Sequence, residues 1–136
     1  MAPEPTFLVE PTLIDRSIVR PLHADLIRDF GGRPGLRDEG LLESALNRAR
    51  QLNAYGERSI AALASAYAFG VIRNHPFIDG NKRVSLVLAK LFLALNGEEL
   101  EATQVELVAT WLALAEGKLD EPALTAWIEE RRRPLR

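Results

Sequence analysis

His75, Asp79, Asn81, Lys82 and Arg83 fall within nine consecutive positions, His75-Pro-Phe-Ile-Asp79-Gly80-Asn81-Lys82-Arg83. Proton transfer and anion binding draw on these residue types. A neutral imidazole accepts a proton near neutral pH, so His75 is the candidate general base for an attacking hydroxyl. Lys82 and Arg83 supply two cations at a predicted helix start, where free N–H groups and the helix dipole already favour anions. Gly80 is expected to let a ligand approach the backbone, and Gly80, Asn81, Lys82 and Arg83 together read as a phosphate cradle. Asp79 is the only acid in the loop. Beside bound phosphates a carboxylate suits magnesium, an oxygen-seeking ion that shares phosphate oxygens. Phe77 is expected to turn into the core and pin the loop. Asn81 is expected to cap the helix or to orient His75 or a phosphate oxygen.

Taken singly, each residue has a plainer explanation. A histidine at a helix end is usually a cap or a packing residue. Asp-Gly-Asn is usually a turn, and Lys-Arg is usually a solvated pair. Their convergence ahead of a helix, between the two most apolar helices of the chain, is what favours a site. Polar groups placed that deep must be paired or must bind something charged. Zinc is disfavoured, because no further histidine or cysteine lies near His75 and Asp79.

The elements that must position this loop are helical. A first helix is expected over Thr12 to Phe30, kinked or split at Pro21 and ended by Gly31-Gly32. Asp38 caps a second, with Leu41, Leu42, Ala45, Leu46 and Ala49 as its apolar stripe. Gln51 to Arg58, with Gly56, reads as an exposed loop or small hairpin. Ser59 caps a third helix, apolar on nearly every side and therefore central, which Pro76 stops at about Asn74. A fourth runs from about Asn81 to Leu95 and ends at Asn96-Gly97. Thr103 and Glu106 form a capping box for a fifth, which stops at Gly117. Asp120 caps a sixth, with Pro122 in its first turn, reaching about Arg132. Phe7-Leu8-Val9 reads as a short strand or extended lead-in. The expected fold is all-α: one domain over residues 1–136, a compact bundle of about six helices.

With 47% hydrophobic and 26% charged residues, the 136-residue chain has globular composition. Its longest apolar-rich run, Ile60 to Ile72, is too short for a bilayer, and Met1-Ala2-Pro3-Glu4-Pro5 does not resemble a secretory signal. Without cysteine, thiolate chemistry and disulfides are excluded, and cytoplasmic residence is expected. A net charge of −2 gives no general attraction to nucleic acid. Arg131-Arg132-Arg133 and Arg136 are a short basic tail, expected to be solvated. No membrane or nucleic-acid partner is expected.

The motif resembles the signature of the Fic/Doc (Fido) superfamily. That signature is His-x-Phe-x-Asp/Glu-Gly-Asn-Gly-Arg-x-x-Arg in Fic enzymes and His-x-Phe-x-Asp-Ala-Asn-Lys-Arg in Doc (death-on-curing) toxins. The segment from Phe30-Gly31-Gly32 through Arg37-Asp38 to Ala45-Leu46 also resembles Doc-type proteins. Leu95-Asn96-Gly97 and Ala115 to Leu119 do so as well. The resemblance implies that His75 deprotonates a target hydroxyl, that Asp79 holds magnesium, and that Gly80, Asn81, Lys82 and Arg83 hold ATP phosphates. It places a target-docking flap, loosely, around Gln51 to Gly56.

Two departures from the Fic form imply the Doc sub-family. Lys82 stands where Fic enzymes have glycine, and Leu86 stands where they have a second arginine. Gly80 departs the other way, from the Doc alanine toward the Fic form. A Doc-type toxin is implied to transfer the γ-phosphate of ATP to a threonine of elongation factor Tu, and to be silenced by a cognate antitoxin. The alternative is a Fic-type adenylyltransferase, which passes AMP to the hydroxyl. The inhibitory pattern Ser/Thr-x-x-x-Glu-Gly/Asn of some Fic proteins has one near match, Thr6 to Glu10, read here as chance. The leftover stripes of the first and sixth helices are sites for an antitoxin only if they do not pack into the core, and packing there is favoured.

Overall fold

The computed structural model describes residues 10–136, so the extended run expected at Phe7 to Val9 lies outside the described residues. A short 3-10 turn, Arg16–Ile18, leads into α1 (Val19–Phe30). There follow α2 (Glu39–Ala54), α3 (Ile60–Asn74), α4 (Asn81–Leu95), β1 (Glu98–Leu100), α5 (Gln104–Ala115), α6 (Glu121–Arg131) and β2 (Arg132–Pro134). The fold is all-α as expected, with one small antiparallel pair of strands added.

The helix starts follow local chemistry. Asp38 accepts the Leu41 N–H at 2.9 Å, Ser59 the Ala62 N–H at 3.1 Å, and Asp120 the Ala123 N–H at 2.9 Å. Each bond satisfies one of the backbone donors that a helix start leaves unpaired. Thr103 and Glu106 form the expected reciprocal capping box.

Because α3 is apolar all round, it occupies the centre. Leu63, Ala64, Ser65, Ala66, Tyr67 and Ala68 are successive buried residues, enclosed by α2, α4, α5 and α6. Small residues let the neighbours come close. A Cβ at Gly70 would lie 2.9 Å from the Ala45 carbonyl oxygen, so α2 and α3 touch backbone to backbone there. The buried Ser85 hydroxyl donates to the Ala68 carbonyl at 2.7 Å and accepts from the Trp111 indole at 2.9 Å. That hydroxyl ties α3, α4 and α5 through one polar point.

Three local expectations are corrected. The first helix begins at Val19, not Thr12; before it stands the short 3-10 turn, capped by Asp15, which accepts the Ser17 N–H at 2.9 Å. Pro21 therefore lies in the first turn, where an amide proton has no helical partner, and causes no kink. The break after α2 is shorter than Gln51 to Arg58: the helix continues to Ala54, and no hairpin forms. The sixth helix ends at Arg131, and the basic tail is not free. Arg132 and Arg133 pair as β2 with β1 and meet Glu98 at 2.6 Å and Glu99 at 3.0 Å. No described helix is long and apolar enough to cross a membrane.

Candidate functional site

The loop between α3 and α4 opens a cavity of about 480 Å³ lined by Ile72, His75, Ile78, Asp79, Gly80, Asn81, Lys82 and Arg83, with Ala115 from α5. All six residues singled out by type and spacing therefore meet at one hollow. His75 closes α3 in the left-handed conformation (φ 49°), and its N–H donates to the Val71 carbonyl at 2.9 Å. It is the one described residue other than glycine with positive φ, a conformation that costs a bulky side chain energy. Pro76 forces this stop, and Phe77 anchors it at 1% exposure, in the core as expected.

Asn81 does not cap α4. The cap position is Gly80, itself left-handed (φ 79°), and Asn81 is the first helical residue. Its amide turns back into the loop. Oδ1 accepts the Phe77 N–H at 3.0 Å, and Nδ2 donates to the Phe77 carbonyl at 2.9 Å and lies 3.2 Å from His75 Nδ1. The backbone donor fixes which end of the amide is oxygen. Nδ2 therefore donates to Nδ1, and the neutral His75 ring carries its proton on Nε2. Accepting a proton at Nε2 requires moving that proton to Nδ1 and giving up one neutral hydrogen bond. Nδ1–H would then face the Asn81 Nδ2 donor, so the amide or the ring must turn as the proton moves. With both amide hydrogens committed, what Asn81 offers an anion is its backbone N–H at the helix start.

Lys82 and Arg83 are exposed at the rim. The Arg83 guanidinium sits 4.7 Å above the Phe30 ring, an arrangement that steadies the cation while leaving its edge donors free. Gly80 also answers a backbone need: its φ lies in the left-handed region that favours glycine, and a Cβ there would point inward, 3.2 Å from Ile27 Cδ1 and 3.5 Å from His23 Nε2.

Asp79 is exposed, yet its carboxylate is held from two sides. Oδ2 accepts the Arg33 N–H at 3.0 Å, and Oδ1 accepts the Gly80 N–H at 2.8 Å. These bonds, the Arg33 one first, hold its pKa below the ordinary carboxylate value, helped by the charges of Arg33 and Arg83. The described residues contain no cluster of three or more metal-ligating side chains. One ionised carboxylate beside an anion pocket fits magnesium, which takes few protein ligands and fills its shell with phosphate oxygens and water.

Residues outside the motif complete the site. Arg37 donates from Nε to the His75 carbonyl at 2.7 Å and from Nη2 to the Asn74 carbonyl at 2.9 Å. It thus caps the C-terminus of α3 with a cation. Gly35 and Leu36 run antiparallel to Phe77 and Ile78: Leu36 bridges Phe77, and the Ile78 N–H donates to the Gly35 carbonyl at 3.1 Å. The wall against the motif loop is therefore Arg33 to Arg37. The start of α2 touches the motif loop through the Asp38 N–H, 3.1 Å from the Pro76 carbonyl. A helix rises 1.5 Å per residue, so Ala54 lies about 24 Å farther away.

His23, on α1, is 3% exposed, stacks on Phe77 at 3.8 Å, and has Nε2 2.8 Å from the Asp79 carbonyl. Its signal in the sequence is the spacing Val19, His23, Ile27, which puts a titratable group in the middle of an apolar stripe. Nothing local marks Arg37, whose partners are distant in the chain.

Comparison with known proteins agrees with this geometry. The chain is 36% identical over 80 residues to the "Protein kinase doc" of Escherichia phage P1, covering 58% of this chain and 64% of that relative. It is 41% identical over 76 residues to the "Toxin Doc" of Mycolicibacterium smegmatis, covering 54% of this chain and 58% of that relative. The matches thus span about three-fifths of the length of these curated relatives. A model of the Fic/DOC family matches residues 13–93, more than half of the chain, including α1, the wall segment and the whole motif loop. This protein belongs to the Fic/DOC family.

Proposed function

We propose that the chain is a Doc-type toxin that transfers the γ-phosphate of ATP to a hydroxyl of a target protein, elongation factor Tu, and so blocks translation. His75 takes the hydroxyl proton as the target oxygen bonds to Pγ, the bond from Pγ to the bridging oxygen breaks, and ADP leaves. Lys82, Arg83 and the N–H groups at the start of α4 hold the phosphates, and Arg37 and Asn81 hold His75. Magnesium, on Asp79, supplies charge neutralisation when bound.

The observation that carries this reading is Lys82. It lines the pocket beside His75, at the position where Fic adenylyltransferases have a glycine. Leu86, in place of their second arginine, lines a neighbouring apolar groove instead of the phosphate hollow. The name "Protein kinase doc" of one relative supports the same choice, and both names support a Doc-type toxin.

The test is label transfer to purified elongation factor Tu with magnesium and ATP labelled at either the γ or the α position. The γ-label should transfer with wild type and drop by a factor on the order of a thousand or more with His75→Ala. Transfer of the α-label would instead establish adenylylation. Absence of both, with every added translation factor, would refute group transfer.

The reading also requires a silencing partner. On α1, Val19, His23 and Ile27 are buried, and on α6 Leu124 and Ile128, so these stripes belong to the core. A groove of about 530 Å³ between α1, α4 and α5 remains open, with Leu26, Phe30, Leu86 and Val108 along its floor and Lys82, Arg83 and Lys90 at its edge. An acidic amphipathic segment of the antitoxin fits that combination of charge and apolar surface.

A further inference from the structure

His23 is a buried titratable group on an element outside the motif, and the chemistry above does not use it. A carbonyl oxygen only accepts, so the 2.8 Å contact with Asp79 means that His23 donates from Nε2. The described peptide bonds are all trans, so within the Asp79–Gly80 peptide the C=O and N–H point in opposite directions. With the oxygen drawn inward to His23, the Gly80 N–H faces outward. There it meets Asp79 Oδ1 at 2.8 Å, beside the hollow.

This orientation needs a lock. Glycine populates positive and negative φ about equally, so a peptide ahead of a glycine turns over at low cost. The turned peptide would put a carbonyl oxygen, a partial negative charge, where an N–H now holds the Asp79 carboxylate at the rim of the anion pocket. His23 is well placed to prevent this. Its ring is clamped against Phe77, 7° from parallel, in a site with 3% exposure.

We propose that His23 is a positioning residue: its Nε2–H holds the Asp79–Gly80 peptide with the oxygen inward and the amide at the pocket, and so sets the affinity for phosphate-bearing nucleotides. The inference rests on the reading of the hollow as a nucleotide-phosphate site. Two substitutions separate its parts. His23→Phe keeps a ring on Phe77 and removes the donor. His23→Gln removes the ring and keeps an N–H near the position of Nε2.

The experiment measures magnesium–ATP binding by calorimetry, Tm, and the Gly80 amide by NMR without ligand. His23→Phe should weaken binding on the order of tenfold with Tm nearly unchanged, and should shift the Gly80 amide and speed its exchange. His23→Gln should lower Tm yet bind within about twofold of wild type. A merely structural role would move affinity and Tm together in both variants, and that result overturns the proposal. So does a His23→Phe protein that binds as tightly as wild type. If wild type itself binds no magnesium–ATP, the nucleotide reading fails. The Gly80 amide then still decides whether His23 holds the peptide, and an unchanged amide in His23→Phe overturns it. Should that variant not fold, His23→Leu also removes the donor and serves in its place.

Discussion

At the scale of single residues, the site depends on side chains that hold backbone in uncommon conformations. His75 stands at φ 49°, and the two carbonyls that α3 leaves open beside it are gripped by Arg37. Arg37→Ala removes two charge-assisted bonds from the segment that aims the imidazole. Steady-state kinetics should show kcat reduced about tenfold or more with KM for ATP changed little, because the nucleotide's own contacts remain. An equal loss of nucleotide affinity would place Arg37 in the binding surface instead.

Asp79 gives a pH prediction. Its folded-state pKa is depressed, chiefly by the Arg33 N–H and then by the Gly80 N–H. A depressed carboxylate contributes stability that is fully present above its unfolded value, about 3.9, and is lost as pH falls through the lower folded value. Asp79→Ala should therefore lower Tm at pH 7, with the gap to wild type closing only in strong acid. Thermal melts at a series of pH values check this; a gap that closed already near pH 6 would contradict it.

At the scale of elements, function depends on α3 and α4 meeting at a fixed angle, with the motif loop as their joint. The contact of α2 with α3 sets one side of that joint at Gly70, against the Ala45 carbonyl. Gly70→Ala forces a methyl to 2.9 Å from backbone oxygen, so the helices must part. Overpacking of this kind costs about 1–3 kcal/mol, even though alanine is the better helix former. Pro21→Ala makes a useful contrast, since Pro21 sits in the first turn of α1 and interrupts no helical bond. Chemical denaturation should show a clear loss of stability for the first variant and a change within about 0.5 kcal/mol for the second.

At the scale of the whole molecule, the hollow at the motif loop and the apolar groove share Lys82 and Arg83. A segment seated in the groove would thus reach two cations of the hollow, which under the proposed function gives a direct route from antitoxin binding to silencing. Val108 is 54% exposed on the groove and outside the hollow. Val108→Asp should weaken antitoxin binding by a factor of ten or more while leaving Tm and transfer to the target unchanged. Unaltered antitoxin affinity would move the docking site elsewhere.

Much of this molecule was written in local chemistry. Asp38, Ser59, Thr103 with Glu106, and Asp120 mark helix starts within a few residues, because capping is a contact between near neighbours. The uniform apolarity of α3 placed it at the centre, and the tight spacing of His75 to Arg83 kept the motif together whatever the fold around it. Tertiary structure decided what depends on residues far apart in sequence. Glu98 and Glu99 convert an apparent basic tail into a paired strand. Arg37 and His23 reach the loop from 38 and 56 positions away. The segment that braces the motif loop is Arg33 to Arg37, because the start of α2 packs on that loop. Periodicity and capping report only on the next turn of helix, whereas hydrogen bonds across the bundle form once packing has brought distant backbone within 3 Å.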